Sequence, residues 1–201
     1  DVICEEIMAA GQSLPDTLGE DLAVIARSGQ RAASIARDLL SLSRSQFPER
    51  RPMPINLAVD AVLESGTVLE LKRNSPGVRV ELALSAREPL VYGSETHLFQ
   101  ALLNLVINAF EAMADGGGTL RIATDTYRLS QPLGGHEKIE PGEYVRVVVA
   151  DTGHGIPPEE IDRVFEPFHS RRKRSRPSGS GLGLAVVYGV AKGHEGYVDL
   201  S

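Results

Sequence analysis

Thiol chemistry is nearly missing: Cys4 is the single cysteine in 201 residues. That excludes a disulfide framework and a thiolate metal cluster, and it fits a reducing compartment. Long apolar runs are missing too. No stretch approaches the ~18 apolar residues of a membrane span, so no membrane contact is expected of this chain, and neither end has the pattern of a targeting signal. The expected location is cytoplasmic, free or as the cytoplasmic part of a membrane-bound protein. Nor is there an excess of positive charge. A formal net charge of -6 argues against a general nucleic-acid binder. What is present, 42% hydrophobic residues, suffices to bury at least one sizeable core, and the length allows one or two domains.

Periodicity divides the chain in two. Asp1 opens inside an apparent helix with Val2, Ile3, Ile7 and Met8 already in pattern, and Ser201 falls inside an apparent strand, so the chain reads as a piece of something longer. The first helix ends at Leu14-Pro15-Asp16-Thr17-Leu18-Gly19, and a longer one runs from about Glu20 to Gln46. Leu22, Ile25, Gly29, Ala32, Ala36, Leu39 and Ser43 alternate steps of three and four along it. That is a bundle seam, through which two hairpins would dimerise into four helices; the other reading is a hairpin packed on its own domain. Phe47 to Pro54 cannot continue a helix. The expected division is a helical hairpin at 1–47, a linker at 48–55 and a second domain at 56–201.

The second domain alternates helices and strands. A helix is expected from Asn56 to about Leu71, a half-buried strand through Val78, Val80, Leu82 and Leu84, and a short strand at Leu90–Gly93. A helix from about Ser94 to Ala114 follows. Strands at about Thr119–Thr126 and Tyr144–Ala150 are separated by a polar insertion read as a surface loop. This order makes an α+β chain: the hairpin, then a two-layer sandwich of helices on a mixed sheet.

The helix from Ser94 carries a polar stripe where a buried helix should have none: His97, Asn104, Asn108, Glu111 and Asp115 fall on one face, with apolar residues on both flanks. Buried amides need partners, because an unpaired polar group costs about 1–3 kcal/mol. A ligand carrying a metal ion and phosphates would satisfy them; so would water along a solvent-facing stripe. Three downstream features bear on this choice. The strand at 145–150 runs into Asp151-Thr152-Gly153-His154-Gly155-Ile156, an acid and two glycines suited to a base-binding pocket. Phe165 and Phe168 follow. Arg171, Arg172, Lys173, Arg174 and Arg176 then lead into Ser178-Gly179-Ser180-Gly181-Leu182-Gly183-Leu184 and an apolar helix, which describes a phosphate site at a helix start beneath a basic lid. The spacing is not that of a P-loop.

The four elements in this order resemble the N, G1, F and G2 boxes of the ATP-binding domain shared by sensor histidine kinases, gyrase and related ATPases, the Bergerat fold. They read here as N-L-V-I-N-A, D-T-G-H-G-I, F-E-P-F-H-S and G-S-G-L-G-L-A-V-V-Y-G-V. The whole chain resembles the kinase core of a two-component sensor histidine kinase, the hybrid type included. The resemblance implies an ATP and Mg²⁺ site in which Asn108 helps hold the metal, Asp151 takes adenine, and Gly153, Gly155 and Ile156 shape the base pocket. Phe165 and Phe168 would anchor the lid. Arg171, Arg172, Lys173, Gly179, Ser180, Gly181, Leu182, Gly183 and Leu184 would surround the phosphates, and Glu111 would orient a metal-bound water or phosphate group. Hydrolysing relatives place a Glu where Asn104 stands; an amide has no lone pair basic enough to activate water. Asn104 and Asn108 are therefore the candidate catalytic pair.

The implied activity is phosphorylation of a bundle histidine by ATP, with transfer to an aspartate on a response-regulator receiver domain by a homodimer. No histidine occurs in residues 1–14, and the acceptor is expected a few residues before Asp1, as another strand is expected beyond Ser201. His97, His136, His154, His169 and His194 all lie in the second domain, with ordinary surface or core roles expected. The alternatives are a hydrolytic ATPase of the same superfamily and a nucleotide-binding scaffold without catalysis.

Overall fold

The computed structural model describes residues 19, 22, 24, 25, 28, 29, 32, 50–85, 89–134, 137–169 and 181–200. The chain divides into two compact units, Asp1–Arg37 and Asp38–Ser201. In the first, the described residues from Gly19 to Ala32 are helical. Ile25, Gly29 and Ala32 of the expected seam are exposed and Leu22 is half-buried. The helix of 1–14, its breaker up to residue 18, and Ala36, Leu39 and Ser43 lie outside the described residues.

In the second unit, strand β1 (Arg51–Pro54) pairs antiparallel with β3 (Leu90–Gly93) in a separate two-stranded sheet. Half of the segment expected as a linker is thus a strand. Pro52 and Pro54 are tolerated because the ribbon has open edges where a missing N–H breaks no ladder. The single helix expected from Asn56 is two, α1 (Ile55–Leu63) and α2 (Gly66–Asn74). Ser65 separates them: its hydroxyl accepts from Val68 N at 3.3 Å and donates to Val62 O at 2.6 Å, an N-cap that restarts the chain.

The three-stranded sheet has the order β2 (Val78–Ala83), β4 (Gly118–Leu129), β5 (Gly142–Asp151), with β2 parallel to β4 and β4 antiparallel to β5. It is the mixed sheet expected, and the polar insertion extends its hairpin through a bridge between Leu133 and Ile139. Helix α3 (Glu95–Ala112) lies against the face that Leu120 and Ile122 present. Phe110, Val106, Leu102, Val59 and Val62 fill the space between. Each such side chain contributes about 1.5–3 kcal/mol when fully buried. Helix α4 (Gly183–Gly193) packs on α3 through a second cluster of Ala101, Val186, Val187 and Val190.

After α4, residues 196–200 form no strand among the described residues, where a strand was expected. Side chains hold them instead of a ladder. Val198 N donates to Glu137 Oε1 at 3.3 Å, Glu137 also pairs with Lys192, and the Tyr197 and Tyr144 rings meet edge to face at 5.8 Å.

One polar triangle around the buried Thr124 fixes α1 to the sheet. Thr124, 3% exposed, donates from Oγ1 to Asn56 Oδ1 at 2.7 Å and accepts from Ser85 N at 3.0 Å, while Asn56 Nδ2 donates to Ser85 O at 3.0 Å. Thr124→Val keeps the shape and leaves two half-buried partners, Asn56 Oδ1 and Ser85 N, unmet. The expected loss is about 1–3 kcal/mol, read as a lower denaturant midpoint at unchanged slope; an unchanged midpoint would show that the triangle adds no net stability.

Candidate functional site

The polar stripe of α3 meets the start of α4. Asn104 is 8% exposed; its Nδ2 donates to Gly183 O at 3.3 Å, and its Oδ1 accepts from Gln100 Nε2 at a longer 3.4 Å. The protein's own backbone thus satisfies this amide. Asn108, one turn on, is half-buried. A Cβ built on Gly183 would sit 3.6 Å from Asn108 Oδ1 and 3.7 Å from its Nδ2, so glycine keeps open the space before this second amide. Glu111 is half-buried one turn further, Asp115 is exposed past the helix end, and His97 is buried near its start.

Asp151 ends β5 opposite Leu120. Directly opposed residues share a face, so its side chain leaves on the helix side of the sheet, exposed at the edge. Its Oδ1 accepts from Gly153 N at 2.8 Å, which closes an Asx turn. That turn is fastened to the end of α3: Thr152 Oγ1 accepts from Thr119 N at 3.0 Å and approaches Met113 Sδ at 3.8 Å, and His154 N donates to Ala112 O at 3.4 Å. Gly153 is required by proximity, since a Cβ there would lie 2.6 Å from the Ala112 side chain and 2.7 Å from its backbone. Gly155 and Ile156 are exposed beyond it.

A 3₁₀ helix over Pro158–Arg163 leads to the two phenylalanines, which the structure treats differently. Phe165 is buried against Tyr188 of α4, ring centroids 5.4 Å apart. Phe168 is 64% exposed with φ 66°. Its backbone meets Gly181, φ 70°, so closely that a Cβ on that glycine would lie 2.8 Å from the Phe168 carbonyl carbon. Leu182 is fully buried, and Gly183 and Leu184 are half-buried. Arg171, Arg172, Lys173, Gly179 and Ser180 lie outside the described residues.

One feature fits an anionic ligand. The 11-residue α4 begins after Leu182 without a side-chain cap, so its first N–H groups and the positive end of its dipole lie where Gly183 meets Asn108. No group of three or more His, Cys, Asp and Glu able to hold a metal exists among the described residues. The oxygens that a magnesium ion could use there are the Asn108 amide oxygen beside Gly183 and the half-buried Glu111 carboxylate one turn on. Tyr188, Thr152, Met113 and Ala112 shape the site although motif reading singled out none of them for it. Tyr188 sits on the α4 face that the apolar pattern leaves out, and the other three act through contacts across long sequence separations.

Residues 93–201 match the family model described as histidine kinase-, DNA gyrase B-, and HSP90-like ATPase. The chain is 31% identical to the sensor kinase CckA of Brucella abortus (strain 2308) over 98% of its length, and spans only 20% of that protein. The mycobacterial sensor histidine kinase MprB aligns at TM-score 0.53 and 29% identity, over 73% of this chain and 80% of that one. Histidine kinase ThkA, solved in complex with response regulator protein TrrA, aligns at TM-score 0.64 over 97% of this chain and 51% of that one; at 22% identity it shows a shared fold. No helix among the described residues is long and apolar enough to cross a membrane.

The Asn104 contact gives a direct test of why an amide stands there. Asn104→Glu would turn a carboxylate toward the Gly183 carbonyl, two acceptors with no proton between them. The expected result is a loss of about 1–3 kcal/mol of stability by denaturant titration; a variant as stable as the parent would show that the contact is dispensable.

Proposed function

Because the chain belongs to the histidine kinase-, DNA gyrase B-, and HSP90-like ATPase family, we propose that it is the catalytic core of a two-component histidine kinase that binds ATP with Mg²⁺ between α3 and α4. The observation that carries this reading is the uncapped, glycine-bounded start of α4 facing Asn108.

In this reading the Asp151 carboxylate accepts the adenine amino hydrogen, while Gly153, Gly155 and Ile156 bound the base. Backbone N–H groups from Gly181 to Leu184 face the phosphates, with Gly179 and Ser180 before them and Arg171, Arg172 and Lys173 adding positive charge. Asn108 offers its amide oxygen to the metal, and Glu111 orients a water or phosphate group beside it. Magnesium, when bound, supplies charge neutralisation on the phosphate oxygens. Asn104 holds the start of α4 and, being an amide, activates no water. An imidazole nitrogen then attacks the γ-phosphorus in line; an N–P bond forms as the bridging P–O bond breaks, and ADP leaves. The acceptor belongs to the hairpin, and a receiver aspartate takes the group next. The exposed Ile25, Gly29 and Ala32 support a homodimer through that hairpin.

The test is to incubate a protein extended through the whole first helix with γ-labelled ATP. Protein-bound label that is acid-labile and alkali-stable is the expected result. Phosphate release without labelled protein would assign a hydrolytic ATPase, and binding without label a scaffold. Two substitutions probe the roles. Asp151→Asn should weaken ATP binding about tenfold or more, 1.4 kcal/mol per factor of ten, with the melting temperature nearly kept; full affinity by titration would remove Asp151 from the base pocket. Asn108→Asp should depress magnesium-dependent phosphoryl transfer while adenosine still binds, and unchanged autophosphorylation would refute its role.

A further inference from the structure

The far ends of α3 and α4 are joined by a second polar contact. Helix α4 closes with a C-terminal motif in which Gly196 N donates to Ala191 O at 2.8 Å and Glu195 N to Lys192 O at 3.0 Å, Glu195 sitting at φ 59°. This turn presents the His194 ring to the start of α3. Ser94 N donates to His194 Nε2 at 2.9 Å, and His194 Nδ1 lies 2.7 Å from Val190 O. A backbone N–H can only donate and a carbonyl can only accept, so both contacts are made only by the neutral ring with its proton on Nδ1. The seat is tight. A Cβ on Gly93 would lie 2.9 Å from His194 Cδ2 and 3.1 Å from Nε2.

We propose that His194 is a positioning residue for nucleotide binding: as the neutral Nδ1–H tautomer it ties the N-cap of α3 to the last turn of α4, and its protonation releases that tie. The proposal rests on the nucleotide reading above. It goes beyond the ordinary role expected for this histidine. A proton on Nε2 would set two donors against each other and leave the Ser94 N–H, on a residue only 3% exposed, without its acceptor. The antiparallel helices would then lose this polar contact and keep the one at the Asn104–Gly183 end. The angle of α4, and with it the direction of its first N–H groups, would loosen.

Arg50 and His97 face this ring, and two ion pairs lie on the elements around it. Arg50, before β1, pairs with Glu195 at 3.6 Å; His97 of α3 stands edge-on with ring centroids 6.4 Å apart; the Arg51–Glu95 pair joins β1 to the first turn of α3, and the Lys192–Glu137 pair lies on the last turn of α4. Burial holds the His194 pKa below its ordinary value and the Arg50 charge lowers it further, against the opposing pull of the Val190 carbonyl. The folded-state pKa being depressed, the contribution is complete above the unfolded value and is lost as pH falls below about 6.5 toward the folded one.

The experiment titrates the whole chain with Mg-ADP at about pH 7.5 and about pH 5.5, beside His194→Gln, and follows the imidazole signals by NMR. Phosphates and other histidines titrate in both proteins, so the difference between the profiles isolates His194. The parent should lose about twofold to fivefold more affinity than the variant across this range, less than the tenfold that one unit of pKa change gives well below both midpoints. By reciprocity, saturating nucleotide should lower the His194 titration midpoint by about one unit. Should the variant fail to fold, that midpoint in the parent carries the test. Binding with identical pH profiles, an Nε2–H tautomer, or a midpoint indifferent to nucleotide would overturn the proposal alone. No binding at any pH would overturn the nucleotide reading and this one with it.

Discussion

Everything at the site depends on how α3 and α4 are held together. The two helices run antiparallel, with an apolar strip of Leu98, Ala101, Leu105, Val186, Val187 and Val190 along the contact. Apolar packing alone lets helices slide and rotate, because it has no direction. Polar contacts at both ends remove that freedom: Asn104 Nδ2 to Gly183 O at one, Ser94 N to His194 Nε2 at the other. They stand ten residues apart along α3, about 15 Å at 1.5 Å per residue. Register and rotation are thereby set, and the start of α4 is aimed at Asn108.

The sheet does the same for the other wall. Its edge strand β5 delivers Asp151 on the helix side, and the turn that follows is fastened to Ala112 and Met113 at the end of α3. Both walls therefore refer to one helix, which packs along the sheet core through Val106 and Phe110. A ligand lying between Asp151 and the α4 N-terminus would span groups fixed to the same rigid element, the arrangement that reduces the ordering cost of binding.

Much of this was legible in the residues, and the boundary of legibility has physical causes. The strands at 78–83 and 90–93 and the central parts of those at 118–129 and 142–151 announce themselves by alternation and glycine turns, while 127–129 and 142–143 read as part of the polar loop, and α3 announces itself by its period. Local order is what local pattern encodes. The break at Ser65 was hidden inside a helical period although a Ser-Gly pair marked it. The strand at Arg51–Pro54 was masked by its prolines, which are breakers in a helix and acceptable at a sheet edge. At the site, Asn104 and Asn108 looked equivalent from spacing. The family resemblance assigns them different roles, and the fold separates them physically: a carbonyl 79 residues away takes the first amide and a glycine leaves the second one space. His194 was legible as a residue type and illegible as a partner, because its acceptor role depends on an N–H 100 residues earlier.

The most direct measurement of the central claim is a structure of the chain bound to Mg²⁺ and a non-hydrolysable ATP analogue. The expected result places the adenine amino group on the Asp151 carboxylate and the phosphates along the N–H groups at Gly181–Leu184, with Asn104 still bonded to Gly183 O and Asn108 facing the metal. A nucleotide bound elsewhere, or one that draws Asn104 off Gly183 while Asn108 stays apart, would contradict the account.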